Sequence, residues 1–311
     1  MVTSPRRKWL MEGAVALISV GATLMICPEP AASGATAKIV AVGAENEYAN
    51  VIKQIGGPYV TVTAIESNPN TDPHTFEASP SVARAVSAAS LVVQNGVGYD
   101  TYMNKIESAS PNAHRKVIDV QTLLGLPDDT ANPHLWYDPS TMPAVANAIA
   151  SDLASLDPSH AAYFEASVTR FDNSLKPWLT AIGKVKSKFP NAPVADTEPV
   201  ADYMLQAAGT AIMTPWTLQA DIMNGVDPSP QNVSLEETLL SEHRVKVFLY
   251  NEQVTDSLTE TFLSYAHKAG IPVVAVYETM PAPGYDYQSW MLAEVNALLK
   301  ALSSKHSTER L

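Results

Sequence analysis

Cysteine occurs once in the 311 residues, at Cys27. A single thiol supports neither an intramolecular disulfide framework nor a thiolate metal site. Charged residues are sparse at 17%, and the balance is acidic, with a formal charge of -12. That balance argues against a nucleic-acid partner, whose phosphates need an excess of Lys and Arg. Three nucleotide- or bond-cleaving signatures are missing as well: GxxxxGK[ST], HExxH and GxSxG. A phosphate-binding loop, a helical zinc-protease site and a nucleophile elbow therefore have no support here. No apolar run is long enough for an obvious membrane span.

What is present begins with a secretory pattern. Arg6, Arg7 and Lys8 form a basic start, Gly13 to Ile26 an apolar stretch, and Ala35-Thr36-Ala37 an A-x-A cleavage site. Residues 1–37 are expected to be a signal peptide, placing the mature chain at the periplasmic or extracellular face of a membrane. An uncleaved anchor and lipid attachment at Cys27 are the other options, but Glu12 in the apolar flank argues against the first, and Met25-Ile26 lacks the small residues that lipid-attachment sites prefer. Cleavage at Ala37 removes three basic and two acidic residues, so the charge moves from -12 to -13. It also removes the only cysteine, and core packing alone must then hold the fold.

From Lys38 onward, short β runs alternate with helical stretches: KIVAVG, YVTVTAI, LVVQNG and RKVIDV in the first part, then APVADTE, VKVFLYN and IPVVAVYE after Pro190. This alternation predicts βα units and mainly parallel sheets. The fold class is α/β, with two lobes, residues 38–156 and 191–311, each a mainly parallel sheet flanked by helices. Between them, residues 157–190 show Phe164, Val168, Phe171, Leu175, Leu179, Ile182 and Val185 at helical spacing. One long linker helix is expected there, about 45 Å if continuous, with Pro177 as its weak point.

Five of the seven histidines read as surface or turn residues. His74 in DPHTFE and His134 in NPHLWYDP do not. Each follows a proline in a loop after a strand, at the edge where open α/β sheets bind ligands. A metal needs neutral imidazoles held in fixed orientation, and proline-flanked loops reduce the ordering cost.

The stretches DPHTFEASPS, AASLVVQNGVGYD, NPHLWYDPS, the long helix from Asp157 and GYDYQSWM occur in order along nearly the whole mature chain. In these the sequence resembles the periplasmic metal-binding proteins of zinc and manganese ABC importers, the cluster A-I solute-binding family. The resemblance implies four ligands, two from each lobe, around one ion. His74 and His134 match the first two, and Glu198, five residues before Tyr203, matches the third. The family's usual Thr-Asp-Ser is missing after the last strand. Glu278 in VVAVYETMP takes the fourth place, with Asp286 in GYDY as the alternative. Thr255-Asp256-Ser257 spells the missing form but precedes a helix, where Thr255 or Asp256 reads as a cap.

Two imidazoles and two carboxylates suit Zn²⁺ or Mn²⁺. The hard Glu198 and the lack of histidine between Val120 and Pro133 favour manganese; the Irving–Williams order favours zinc. The expected function is capture of one such ion between the lobes and delivery to an ABC permease, by a monomer that catalyses nothing. A secreted metal-dependent hydrolase, and an adhesin or organic-ligand binder on the same scaffold, are the competing readings. Tyr99, Trp136, Tyr137, Trp216, Tyr285 and Trp290 are candidate cleft aromatics.

Overall fold

The computed structural model describes residues 1–6, 8, 10, 12, 37–281 and 283–311. The apolar stretch of the expected signal, its cleavage site up to Thr36, and Cys27 lie outside them. Ala37–Leu311 forms one compact unit, which holds every described strand and helix.

The β-branched runs pair into two sheets. The first contains β1 (Ile39–Glu45), β2 (Val60–Glu66), β3 (Leu91–Gln94) and β4 (Lys116–Asp119) in the order β2-β1-β3-β4. The second contains β5 (Pro193–Asp196), β6 (Ala211–Ile212), β7 (Val247–Asn251) and β8 (Val273–Val276) in the order β6-β5-β7-β8. Every pairing is parallel. Counted from its own first strand, each lobe has the same order. β3, β7 and β8 are buried along their whole length, as expected for parallel strands covered on both faces.

In both lobes the strand order reverses beside the first strand, between β1 and β3 and between β5 and β7. Connections diverge there and leave a crevice at the carboxyl ends of the strands. All candidate ligands lie beyond such ends: His74 after β2, His134 after β4, Glu198 after β5 and Glu278 after β8.

The segment between the lobes departs from a single continuous helix. A 3-10 turn, Pro158–His160, leads into helix Ala161–Ser174, and helix Lys176–Lys188 follows after Leu175. Pro177 sits in the first turn of the second helix, where its missing N–H costs nothing but also cannot continue the first helix. The two halves have different neighbours. Ala161–Ser174 packs on Thr141–Leu156 and Asn46–Gly56 of the first lobe; Lys176–Lys188 packs on the final helix, Tyr287–Ser304. After Asp138-Pro139 the next helix begins at Thr141, and Asp138 accepts the backbone and hydroxyl hydrogens of Ser140.

The lobes are joined by more than the linker. A continuous apolar core takes in Trp136 and Tyr137, Trp178 of the second linker helix, and Tyr287 and Trp290 of the final helix. Trp178 meets Tyr287 edge-on at 6.0 Å, and Tyr137 meets Trp290 at 5.7 Å. Polar contacts run alongside. Asn46 Nδ2 donates to the Met280 carbonyl and its Oδ1 accepts the Met280 N–H. The Tyr137 hydroxyl donates to the Tyr277 carbonyl at 2.8 Å.

Candidate metal centre

Both histidine corners are built the same way. In each X-Pro-His triplet the first side chain accepts the backbone N–H of the histidine: Asp72 from His74 at 2.8 Å, Asn132 from His134 at 3.0 Å. This is the Asx turn, a local bond that short polar side chains make two residues on. With proline fixing φ between the two ends, the loop direction is set before any ligand arrives.

The corners then diverge. Asn132 Oδ1 also accepts from the ring of His134, 2.8 Å from Nδ1. Its own amide is oriented by donation to the Pro199 carbonyl at 2.8 Å, so the oxygen must face the imidazole. Nδ1 therefore carries the proton, and in neutral His134 the Nε2 lone pair points inward. Tyr203, the tyrosine five residues beyond Glu198, donates to the Asn132 carbonyl at 2.9 Å.

The structure brings three of the expected residues to one point. His74 Nε2 and His134 Nε2 each lie 3.1 Å from Glu278 Oε2. His134 and Glu278 are completely buried, and the His74 side chain is 20% exposed. The His74 contact is close but poorly aligned for a hydrogen bond, leaving Nε2 without a hydrogen-bond partner. Tyr99 donates to the same Glu278 oxygen at 2.9 Å, and its ring stands 5.0 Å from that of His74. Trp136 closes the other side, 5.5 Å from His134. Tyr137 and Trp290 instead belong to the interlobe core, and Trp216 is exposed.

Glu198 is the near neighbour of this group rather than part of its tightest cluster. One side-chain nitrogen separates it from Glu278: Asn251 Nδ2 donates to Glu198 Oε2 and, at 2.8 Å, to Glu278 Oε1. The other Glu198 oxygen, Oε1, is buried with no partner. Asp286 is not brought to the site. It caps helix Tyr287–Ser304 in a reciprocal box with Ser289. Asp256 caps Ser257–Ala269 in the same manner with Thr259, as its position before a helix implies.

Burial disfavours charge on all four groups. It works against the Glu278 anion, but the charge of the adjacent His74 prevails and holds its carboxyl well below the usual range. Burial would also depress His74, but the adjacent Glu278 charge pushes it up to about 9. His134 is lowered, because its complete burial outweighs the Glu278 contact. Glu198 is raised by burial and then by Glu278. The neutral form that burial favours for His134 points a lone pair at a carboxylate oxygen 3.1 Å away. Positive charge beside them, the protonated His74 or a bound cation, offsets the repulsion of two such lone pairs. With His74 Nε2 and Glu198 Oε1 also lacking partners, the donor set fits a divalent ion. A cavity of about 430 Å³, lined by Asp72, His74, Tyr99, Tyr102 and Lys105 among others, reaches His74 from outside.

Imidazoles from one lobe and carboxylates from the other, meeting in the cleft of a two-lobed α/β fold, define an extracytoplasmic solute-binding protein of a metal ABC importer. The chain belongs to the family described as ZnuA, zinc-uptake complex component A periplasmic, which it matches over residues 42–301. It is 23% identical over 269 residues to the metal ABC transporter substrate-binding lipoprotein FimA of Streptococcus parasanguinis, covering 81% of this chain and 84% of that one. Identity to the manganese ABC transporter substrate-binding lipoprotein PsaA of Streptococcus mitis is 22% over 262 residues, 79% of this chain and 81% of that one. The fold is shared with the periplasmic zinc-binding protein TroA of Treponema pallidum. There the TM-score is 0.72 at 16% identity, over 85% of this chain and 99% of that one. Among the described residues no helix is long and apolar enough to cross a membrane.

Two contributors escaped the sequence reading. Asn132 sits in the quoted NPH motif, and its Asx-turn spacing was the available signal. Asn251 ends β7, and nothing in its own neighbourhood singles it out.

Proposed function

We propose that His74, His134, Glu198 and Glu278 hold one divalent ion, Mn²⁺ or Zn²⁺, which the protein carries as cargo to the permease of an ABC importer. The observation that carries this reading is the convergence of two imidazole nitrogens on one buried Glu278 oxygen across the lobe boundary. Each donor is supplied by a different loop, so removal of any one should weaken binding. The protein works as a monomer, and residues 1–37 direct it out of the cytoplasm before removal. No turnover is involved. A hydrolase would need an open coordination position for water and a general base beside it, whereas this donor set surrounds the ion with protein.

Residues 157–190 serve as the link between the lobes. The helix break at Leu175 gives each lobe its own half of that link, and the shared core restricts their relative movement. Release then needs only local loosening of the His74 corner, the one ligand with solvent access. The test is titration of metal-stripped protein with Zn²⁺ and Mn²⁺ separately. Saturation at one ion per chain supports the reading; no binding of either overturns it.

A further inference from the structure

Asn251 is fully buried at the end of β7. Its backbone N–H donates to the Thr197 hydroxyl, and the Thr197 N–H donates to the Leu249 carbonyl, so the β5–β7 pairing extends past the strand ends to fix its position. Its side-chain oxygen accepts the Gln253 N–H at 3.0 Å. That contact decides the amide orientation, because the reversed amide would set N–H against N–H and oxygen against two carboxylates. The nitrogen therefore faces the metal centre, and its two hydrogens serve two acceptors: Glu198 Oε2 and Glu278 Oε1.

Each carboxylate consequently has one oxygen taken by the amide. The other oxygen of Glu198, Oε1, is buried and unpartnered. The other oxygen of Glu278, Oε2, accepts from Tyr99 and faces both imidazoles with its remaining lone pair. For either glutamate to grip an ion with both oxygens, it must give up a hydrogen bond from a fully buried amide. Gln253 adds to the restraint. Its side-chain oxygen accepts the N–H groups of Glu278 and Thr279 at 2.7 and 2.8 Å, and its Nε2 donates to the Thr71 carbonyl beside the His74 corner.

Resting on the metal-capture reading above, we propose that Asn251 is a specificity-determining positioning residue. It holds both glutamates one-armed, limits the site to four protein donor atoms (two nitrogens and two oxygens), and so tilts it toward zinc over manganese. Zn²⁺ accepts four-coordination readily. Mn²⁺ takes a larger shell of oxygens, which two-armed carboxylates would provide and this amide denies. Glu198 alone, read from sequence as a hard donor, points the other way. The second partner of each carboxylate reverses that expectation.

The test uses the full mature chain, metal-stripped, as wild type and as Asn251→Leu, which keeps the side-chain volume but donates nothing. Asn251→Ala is a second variant should either fail to fold, with thermal melting as the check. Zn²⁺ and Mn²⁺ affinities are measured by competition, and the visible spectrum of the Co²⁺ form reports coordination number independently. Wild type should give the intense band of four-coordinate cobalt. The variants should give a weaker band of higher coordination, with the ratio of zinc to manganese affinity falling about tenfold or more. An unchanged band and ratio in a folded variant, or a high-coordinate spectrum in wild type, overturns the role of Asn251 while leaving metal capture intact. A wild type that binds none of the three ions overturns metal capture itself.

Discussion

Glu278 Oε2 and His134 Nε2 lie 3.1 Å apart although 144 residues separate them in the chain. One follows the last strand of the second lobe; the other sits in a loop of the first. A contact of this kind between two buried groups is costly unless its charge is balanced. On the proposed reading, the captured cation supplies that balance.

If Glu278 is the fourth ligand, its removal should be severe and that of Asp286 should not. His74→Ala, His134→Ala and Glu278→Ala are each expected to lower metal affinity by about 100-fold or more, beyond the 10–100-fold typical of groups that only support a ligand. Asp286→Ala should retain wild-type affinity and lose about 1 kcal/mol of stability with its helix cap. Isothermal titration and thermal melts on the same preparations separate the two effects. The opposite pattern would move the fourth ligand to Asp286.

If His134 is a ligand, Asn132 acts on the metal through it. Replacing it with Leu removes the acceptor that keeps the ring proton on Nδ1, and the expected loss of affinity is about 10–100-fold. Asn132→Asp keeps the acceptor and should recover most of it. Ring-nitrogen NMR of labelled histidine checks the cause: the wild-type tautomer should carry its proton on Nδ1, and the Leu variant should lose that preference.

Away from the centre, Glu294 makes stability depend on pH in an unusual direction. It is fully buried, accepts from Trp290 Nε1, lies 3.3 Å from the Tyr137 hydroxyl, and burial raises it from 4.5 to about 8. Between those values the folded chain keeps a proton that the unfolded chain has released. Its stabilising effect is therefore complete below about pH 4.5 and is lost as pH rises toward 8, by at most about 1.4 kcal/mol per pH unit. Glu294→Gln retains an acceptor and cannot ionise. Urea unfolding of metal-free protein should show the Gln variant matching wild type near pH 4.5 and exceeding it near pH 7.5. A constant difference across that range would contradict the burial argument.

Much of this was readable in advance, for identifiable physical reasons. The alternation of β runs and helical stretches places the strands because parallel strands buried on both faces are apolar throughout, as in VFLYN and VVAV. His74 and His134 stand out because X-Pro-His writes a rigid Asx turn into three adjacent residues. Glu278 is marked by its position after β8. The tertiary relationships were hidden. Pro177 signals a weak point in the linker, but only packing of its two halves on different lobes explains the break at Leu175. Asn251 acquires its role from an amide orientation set by Gln253 and from two glutamates distant in sequence, and no local pattern encodes that.

Mass spectrometry under native conditions, on protein isolated without chelators or metal-affinity resin, reads the metal content of the centre itself. One divalent ion per chain is expected in the wild type, and none in the His74→Ala/His134→Ala/Glu278→Ala variant. A wild type that carries no metal and takes none on supplementation, or a triple variant that retains a full equivalent, would contradict metal capture at this centre.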